Sequence, residues 1–588
     1  MSAAKKGAII GGSVILLIAV AASVAVVVTR TTSATKSPAP APSSGSPPSA
    51  ASKSIQAICQ PTDYRDICES TLSKVANGTS DPKELTKAVF QAAGDNLREA
   101  FRHSELLSMA AKDPRTKEAL QTCRELLEYA EEDIKTSFNN LGGFNMTDYE
   151  KAVDELKLWL DSAATYQETC LDGFENTTGD AAAGMRKALN VSMAMTDNAL
   201  AIVGQISSFV GQLKLPVVLS RRLLSDDDLS FPSWVSADRR KLLSIPPSGI
   251  RPDVVVAQDG SGDFSTINGA LAVAPTRSQK PFVVYVKSGV YKEKVVVFRN
   301  MTNIVIVGDG DTQTKVTGSL NFVDGVVTFK TASFEGVTLE SYIHSLCSPA
   351  VVMGDGFIAR DMGFENSAGA AKHQAVALLV QADKSVFYRC RMDAYQDTLY
   401  VHTLRQFYRD CTISGTVDFI FGDAKALFQN CLILARRPLP NQQNIVTAQG
   451  RKSRQSATAI ILHNCTLAAD PSFPPELHSK NPTFLGRPWK EFSRTFVLQS
   501  YLGSVIHSDG WLPWTGDFAL NTCFYAEVDN RGPGADKSRR VTWKGVKTIT
   551  YEHAEDFTVA RFLWGNDWLP PTGVPFISGL LPLANAKH

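Results

Sequence analysis

The chain has 588 residues, of which 44% are hydrophobic and 20% are charged, so its composition is that of folded globular proteins. This length excludes a single small module and predicts several domains. The net charge of +1 excludes a dedicated nucleic-acid-binding protein. The charge is uneven, since residues 251–588 carry 34 basic and 30 acidic side chains, and this weakly favours an acidic partner.

An uncharged stretch of 22 residues, 7–28, follows two lysines near the N-terminus. As a helix it would extend about 33 Å, enough to cross the hydrocarbon core of a membrane. Cleavable signal peptides have shorter apolar stretches, so residues 1–30 are interpreted as a signal anchor, with a cleaved signal peptide as the alternative. Either interpretation sends the rest of the chain into the secretory pathway, and the first holds the precursor on a membrane.

Other features agree with secretion. Residues 31–54 are rich in Pro and Ser and predict a solvated linker. The ten cysteines contain no CxxC pair, which favours disulfides or buried thiols over zinc ligands. Six N-x-S/T sequons favour a glycoprotein: Asn77, Asn145, Asn176, Asn190, Asn300 and Asn464.

Residues 55–213 have the apolar periodicity of helices and predict an all-α four-helix bundle. Cys123 and Cys170 fall on neighbouring helices, whereas Cys59 and Cys68 could close a small loop. These helices and cysteines resemble the plant invertase and pectin methylesterase inhibitor family. That resemblance implies that the cysteines pair first with second and third with fourth, in an inhibitor-like pro-region. A helical prodomain without inhibitory activity is the alternative.

Residues 214–250 interrupt the helical pattern with Pro, Ser, Asp and two basic clusters, Arg221–Leu224 and Arg239–Leu243. Exposed linkers are preferred sites of proteolysis. We therefore predict that a subtilisin-like processing protease cuts at these clusters; a solvated run of charge is the alternative.

From residue 251 onward, short β-branched and aromatic runs alternate with Gly, Asp and Asn, which predicts strands. A Phe/Tyr-rich motif recurs before Cys390, Cys411 and Cys431, with spacings of 21 and 20 residues. A period near 20 in strand-rich sequence is typical of a parallel β-solenoid. Cysteines one coil apart could form a ladder of thiols or bridge one another, and the spacing leaves both open.

Polar residues follow the same period. Gln374 and Gln396 are 22 residues apart, and Asp397 and Asp418 are 21 apart. Successive coils would bring these side chains together, so that one carboxyl has a raised pKa while the other stays ionised. The carboxyl with the raised pKa could then donate a proton, and the ionised one could attack or act as a base. Neighbouring amides could donate hydrogen bonds to an oxyanion. An ordinary polar ladder on a solenoid surface is the alternative.

Five segments then resemble the signature segments of plant pectin methylesterases, in the family's order: residues 289–293, 374–378, 396–399, 415–422 and 485–489. The similarity extends from about 253 to 580. It implies a right-handed parallel β-helix over 251–588 and a carboxylic ester hydrolase of the extracellular cell wall. Such an enzyme removes methyl esters from the galacturonate units of pectin (homogalacturonan) and needs no cofactor. A proteinaceous esterase inhibitor is an expected partner.

The resemblance also implies the roles of the catalytic residues. Asp418 would be the nucleophile, and Asp397 the acid that protonates methanol and then the base that activates water. Gln374 and Gln396 would hold the oxyanion, and Arg487 would orient Asp418 and keep it charged. No G-x-S-x-G motif suggests a serine nucleophile instead.

The resemblance further implies that Thr328 and Trp489 contact the substrate, together with Gln374 and Arg487. The chain departs from the family by an insertion near Thr328, residues 335–349, which could crowd the cleft, change substrate preference or be an artefact of the gene prediction. His373 adjoins Gln374 but is interpreted as structural, and the histidines show no metal-ligand spacing, so no metal is predicted. Two other functions stay open: a solenoid glycosidase or lyase, and an inhibitor or binding module joined to an inactive esterase-like domain.

Overall fold

A computed structural model describes residues 49–110, 112–140, 149–175, 177–212, 251–331 and 350–582. The predicted signal anchor, the processing linker, the insertion at 335–349 and the sequons at Asn145 and Asn176 lie outside these ranges. Within them, no helix is both long and apolar enough to cross a membrane. The chain divides into two compact units, one helical and one built of strands, which are described separately.

The helical unit contains six helices in its described residues: α1 Ala50–Cys59, α2 Arg65–Val75, α3 Pro82–Ala110, α4 Pro114–Asn140, α5 Tyr149–Asp172 and α6 Ala181–Gln212. The four long helices α3 to α6 each pack against two of the others, α3 on α4 and α6, and α5 on α4 and α6. Their buried stripes include Leu97, Leu127, Leu160 and Leu200. The predicted four-helix bundle is therefore confirmed.

The first helix corrects one predicted boundary. Residues 31–54 were expected to be a solvated linker, but α1 begins at Ala50. The Ser49 side chain accepts a hydrogen bond from the Ser52 amide, which caps the helix, and no proline follows residue 48 before the helix ends. The apolar residues Ile55 and Ile58 are buried, so tertiary packing also holds this helix in place.

Two disulfides hold the helical unit together. Cys59–Cys68 joins α1 to α2, and Cys123–Cys170 joins α4 to α5. This is the pairing, first with second and third with fourth, that the inhibitor-family resemblance implied. Both bridges lie in the interior, because all four cysteines are buried.

The second unit is a solenoid of parallel strands in three sheets. The first sheet has eleven described strands: β1 Val254–Val256, β2 Phe282–Val286, β5 Ile304–Gly308, β8 Ile358–Arg360, β11 Ser385–Tyr388, β14 Arg405–Arg409, β17 Lys425–Gln429, β20 Ala459–His463, β23 Arg494–Leu498, β25 Phe524–Val528 and β26 Val546–Lys547. The second sheet has seven: β4 Val295–Val297, β7 Ala350–Val352, β10 Leu378–Val380, β13 Leu399–Val401, β16 Ile420–Gly422, β19 Asn444–Gln449 and β22 Thr483–Gly486. The third sheet has eight: β3 Gly289–Tyr291, β6 Thr314–Gly318, β9 Gly363–Asn366, β12 Arg391–Asp393, β15 Thr412–Gly415, β18 Leu432–Ala435, β21 Thr466–Ala469 and β24 Tyr501–Leu502.

Each coil passes from the first sheet to the third and then to the second, which is the parallel β-helix that the repeat predicted. Short helices accompany the strands: α7 Ile267–Ala272, α8 Thr328–Thr331, α9 Tyr551–Glu555, α10 Val559–Phe562 and α11 Gly565–Trp568. Buried residues of α9 and α10 pack on the outer face of the first sheet, together with the partly buried Trp568 of α11.

The corner between the first and third sheets explains the cysteine repeat. On successive coils the chain turns at a residue with positive φ, as at Asp410 (51°) and Asn430 (57°), a conformation that Asp and Asn tolerate well. The next residue is buried: Cys390, Cys411, Cys431 and Cys465. These cysteines are unpaired, so of the two arrangements left open the structure has the ladder of thiols.

Stacked aromatic rings complete the interior beside this ladder. Phe387, Tyr408 and Phe428 occupy equivalent positions on three coils, with ring centroids 5.0 and 4.4 Å apart and planes within about 11° of parallel. Because these rings pack so regularly, the coils that the rings connect have little freedom to move relative to one another. The second sheet, which carries the candidate site, is therefore built on a rigid support.

Candidate active site

The two aspartates occupy equivalent positions on neighbouring coils. Asp397 and Asp418 each precede a strand of the second sheet by two residues, and those strands pair with Leu399 opposite Ile420. Both have positive φ, 63° and 51°, and only 7% and 5% of their surface is exposed. The same register and the same backbone conformation present both carboxyls at one corner of the solenoid.

The two glutamines lie one coil apart, immediately beside the aspartates. Gln374 and Gln396 form a parallel bridge, and the Ala375 amide donates to the Gln396 carbonyl oxygen at 3.2 Å. Both glutamines are half-buried, so each keeps part of its surface exposed to solvent. Their spacing of 22, against 21 for the aspartates, is absorbed by one additional residue between Gln374 and β10.

Arg487 reaches Asp418 from the residue that follows β22. Its Nε donates to Asp418 Oδ1 at 2.8 Å and its Nη2 donates to Oδ2 at 2.6 Å, a bidentate pair. Burial raises the pKa of the Asp418 carboxyl above its ordinary value, and the Arg487 guanidinium opposes this shift only in part. The carboxyl with the raised pKa is therefore Asp418, the expected nucleophile, whereas the pairing of the two aspartates was expected to raise the pKa of the proton donor and leave the nucleophile ionised.

Aromatic side chains line the outer face of the second sheet next to these residues. Tyr400 and Phe421 are register partners, stacked with centroids 4.1 Å apart, and the Trp489 ring lies 5.9 Å from the Phe421 ring. Gly450 leaves room for Trp489, because a Cβ there would lie 2.9 Å from the indole. Together the three rings form an aromatic wall, in which Tyr400 and Phe421 are buried and Trp489 is half-buried.

Thr328 is the first residue of α8 and is half-buried. Two later residues attach this helix to the second sheet. Thr331 Oγ1 accepts a hydrogen bond from the Val376 amide, and Phe329 packs edge-on against Tyr400 at 6.5 Å. The helix therefore lies beside the aromatic wall, and it is bonded to the backbone of Val376, two residues after Gln374.

Sequence reasoning missed three residues of this site. Tyr400 and Phe421 obey the 21-residue period, so the same search that found the aspartates could have found them. Trp514 could not be found this way, because it lies in an irregular segment after the last strand of the second sheet. Its ring faces the Arg487 guanidinium, with Cζ 4.2 Å from the ring centroid.

The described residues contain no group of three or more His, Cys, Asp or Glu side chains able to hold a metal ion. His373 is exposed and has a positive φ of 56°, at the turn that leads into Gln374.

Comparison with known proteins assigns the two units. The family profile described as Pectinesterase matches residues 253–566, and the profile for plant invertase/pectin methylesterase inhibitor matches residues 53–202. Among curated relatives, putative pectinesterase/pectinesterase inhibitor 28 of Arabidopsis thaliana is 46% identical and the match covers 90% of this chain and 69% of the relative. Probable pectinesterase/pectinesterase inhibitor 21 of the same plant is 45% identical, over 91% of this chain and 77% of the relative.

Among solved structures, pectin methylesterase from carrot is 48% identical, with a TM-score of 0.53, over 56% of this chain and 99% of the carrot chain. A family profile that matches more than half of the residues and relatives that match along both units lead to the same assignment. The chain belongs to the pectinesterase family, and its N-terminal unit matches the plant invertase/pectin methylesterase inhibitor family.

Proposed function

We propose that this protein hydrolyses the methyl esters of galacturonate units in pectin and releases methanol and pectate. Membership of the pectinesterase family supports this reaction. The observation that carries the proposal is the bidentate contact between Arg487 and the buried Asp418 carboxyl, which orients a carboxylate for attack. The alternative, an inactive esterase-like domain, is not favoured by these findings.

In the first step, a carboxylate oxygen of Asp418 attacks the C6 carbonyl carbon of the ester. Gln374 and Gln396 donate hydrogen bonds from their amides to the oxyanion that forms, and each such donor contributes about 10²–10³ to the rate of comparable enzymes. When the C–O bond to the methoxy group breaks, Asp397 donates a proton to that group, and methanol leaves. An anhydride then joins Asp418 to the substrate.

In the second step, Asp397 takes a proton from water, and the resulting hydroxide attacks the acyl carbon. The anhydride bond breaks and returns the electron pair to Asp418, which regenerates its carboxylate, while the product keeps a new carboxyl group. Asp397 is protonated again and ready for the next ester. No metal or organic cofactor takes part in this sequence of steps.

Substrate binding in this proposal uses the aromatic wall. Trp489 presents its indole to the sugar, and Thr328, at the start of α8, contacts the polysaccharide. Arg487 binds Asp418 through Nε and Nη2, so only the remaining N–H donors of its guanidinium are left for substrate binding.

We further propose that the protein enters the secretory pathway through residues 7–28, passes transiently through a membrane-bound stage and acts in the cell wall. A subtilisin-like protease would cut at Arg221–Leu224 or Arg239–Leu243 and release the esterase unit from the inhibitor-like pro-region. Glycosylation at exposed sequons such as Asn77 and Asn300 agrees with this route.

The test is methanol release from highly esterified pectin by the full chain secreted from a eukaryotic host, before and after cleavage within 214–250. We expect methanol without shortening of the polysaccharide, and a loss of at least about 10³-fold in kcat for Asp418→Asn. Asp529→Asn is the matched control, because Asp529 also has positive φ but is exposed at a corner away from the second sheet. Chain shortening, or full activity of Asp418→Asn, would refute the proposal.

A further inference from the structure

Trp514 faces the only arginine that binds the proposed nucleophile among the described residues. The guanidinium of Arg487 is planar, and two of its nitrogens on one edge bind Asp418. The Trp514 ring covers a face of the same group, with Cζ 4.2 Å from the centroid. A carboxylate at the edge and an indole on the face together restrict both the direction and the tilt of the plane.

The segment that carries Trp514 is anchored to the residue next to Arg487. Gly486 forms a parallel bridge with Trp511, and the Leu512 amide donates to the Gly486 carbonyl oxygen at 3.0 Å. Trp511 is buried and stacks on Tyr525 at 4.3 Å. The segment before Arg487 and the segment before Trp514 are therefore joined by backbone pairing at Gly486.

Gly486 makes this close approach possible. A Cβ at this position would lie 2.2 Å from Thr447 Oγ1 and 3.2 Å from the Trp511 ring. The Arg487 amide in turn donates to the Thr447 carbonyl oxygen at 3.0 Å. The main chain thus brings Arg487 and Trp514 to fixed positions, and only their side chains remain to be oriented.

We propose that Trp514 is a positioning residue: it holds the Arg487 guanidinium in the plane in which Arg487 binds Asp418. This inference rests on the proposed function, because it assigns Trp514 to the support of the nucleophile. Trp514 acts through Arg487 and not by contact with the reacting ester. Its loss should therefore slow the chemical step more than it weakens substrate binding.

The experiment is a double-mutant cycle on the full, cleaved protein, with methanol release as the readout. Trp514→Leu should lower kcat about 5- to 30-fold, the range expected for a desolvated cation–π contact, and leave KM within about twofold. In an Arg487→Gln background the same substitution should change kcat less than about twofold, because the group that it supports is absent. Trp514→Phe, which keeps a ring, should recover most of the activity.

Tyr501→Leu is the matched control, since Tyr501 is an exposed aromatic residue on the third sheet. Thermal unfolding of each variant separates a folding defect from a catalytic one, and Trp514→Gln repeats the cycle with a different truncation. A rise in KM with unchanged kcat, or an equal loss in both backgrounds, would overturn the proposal. If Asp418→Asn is inactive while Trp514→Leu is normal, this inference alone fails; if Asp418→Asn is active, the proposed function fails first.

Discussion

Asp418 meets two opposing requirements. A carboxylate becomes a stronger nucleophile as its pKa rises, and burial raises the pKa of Asp418. The same shift leaves less of the residue ionised in acid. Arg487 answers the second requirement, since its positive charge favours the ionised form. The pair therefore provides a basic carboxylate that is still available for attack.

This balance predicts how the pH profile responds to loss of Arg487. The Asp418 pKa already lies above its ordinary value, and Arg487→Gln removes the interaction that lowers it, so the pKa should rise further. The acidic limb of kcat/KM should then move to higher pH by about one unit or more, with activity recovering partly in alkaline solution.

The measurement is methanol release across the acidic and neutral range. Arg487→Lys is the matched variant, because it keeps the charge but loses the bidentate geometry, and its limb should move less. An unchanged limb in Arg487→Gln would mean that another group controls the acidic side of the profile.

Among the individual site residues, the sequence predicted the positions of those that follow the coil period. The spacings of Gln374, Gln396, Asp397 and Asp418 follow the coil length, so their proximity could be inferred from a strand spacing alone. Arg487 came only from the family resemblance, and Trp514 not at all. Neither obeys the period, because each enters the site from a segment whose path depends on the tertiary fold.

Among the elements, β16 carries the strongest steric constraint near the site. Gly422 ends this strand with φ 129°, and a Cβ there would lie 2.0 Å from the Val401 carbonyl oxygen. That oxygen belongs to the backbone of the neighbouring strand β13 and cannot move aside easily. Glycine is required here because β13 and β16 approach closely beside Tyr400 and Phe421.

Gly422→Ala should therefore lower the free energy of unfolding by about 3 kcal/mol or more. Gly260→Ala is the control, since Gly260 has φ 79° but open space around its Cβ position, and it should cost about 1–2 kcal/mol. Denaturant unfolding of the strand unit compares the two. Equal costs would show that backbone conformation, and not the close approach, dominates at Gly422.

The two disulfides of the helical unit should differ in their contribution to stability. Cys123–Cys170 closes a loop of 47 residues and Cys59–Cys68 a loop of 9. On the chain-entropy account, they stabilise the fold by about 4 and about 3 kcal/mol, respectively. Replacement of the first pair by serine should lower the unfolding midpoint of the helices more than replacement of the second.

Far-ultraviolet circular dichroism during urea titration follows those helices in the full chain. The variant with Cys59→Ser and Cys68→Ser is the control for the replacement of two buried cysteines by serine as such. The reverse order of midpoints would mean that local packing around α1 and α2 outweighs loop length.

For the whole molecule, period and composition predicted both architectures, because a bundle and a solenoid each repeat a simple burial pattern along the chain. What they could not predict was local. The start of α1 depends on the Ser49 cap inside a segment of linker-like composition. The state of the cysteines depends on the corner geometry, which a spacing compatible with either arrangement does not reveal.

The charge of the strand unit leads to a prediction about product binding. Residues 251–588 have a net charge of +4, and each ester that is removed adds a negative charge to the polysaccharide. Electrostatic attraction should therefore strengthen binding to de-esterified pectin relative to esterified pectin, and screening should remove this difference. Since the Debye length falls from about 10 Å at 0.1 M salt to about 3 Å at 1 M, most of the preference should be lost over that range.

Binding of catalytically inactive Asp418→Asn to the two polymers, measured at low and high salt, tests this without turnover. The esterified polymer serves as the control, because it carries little charge and its binding should respond weakly to salt. A salt-independent preference for the de-esterified polymer would contradict the electrostatic account and would instead indicate short-range contacts with individual galacturonate carboxylates. In that case the recognition would belong to particular side chains in the cleft, and the modest net charge of the unit would have no part in retaining the product.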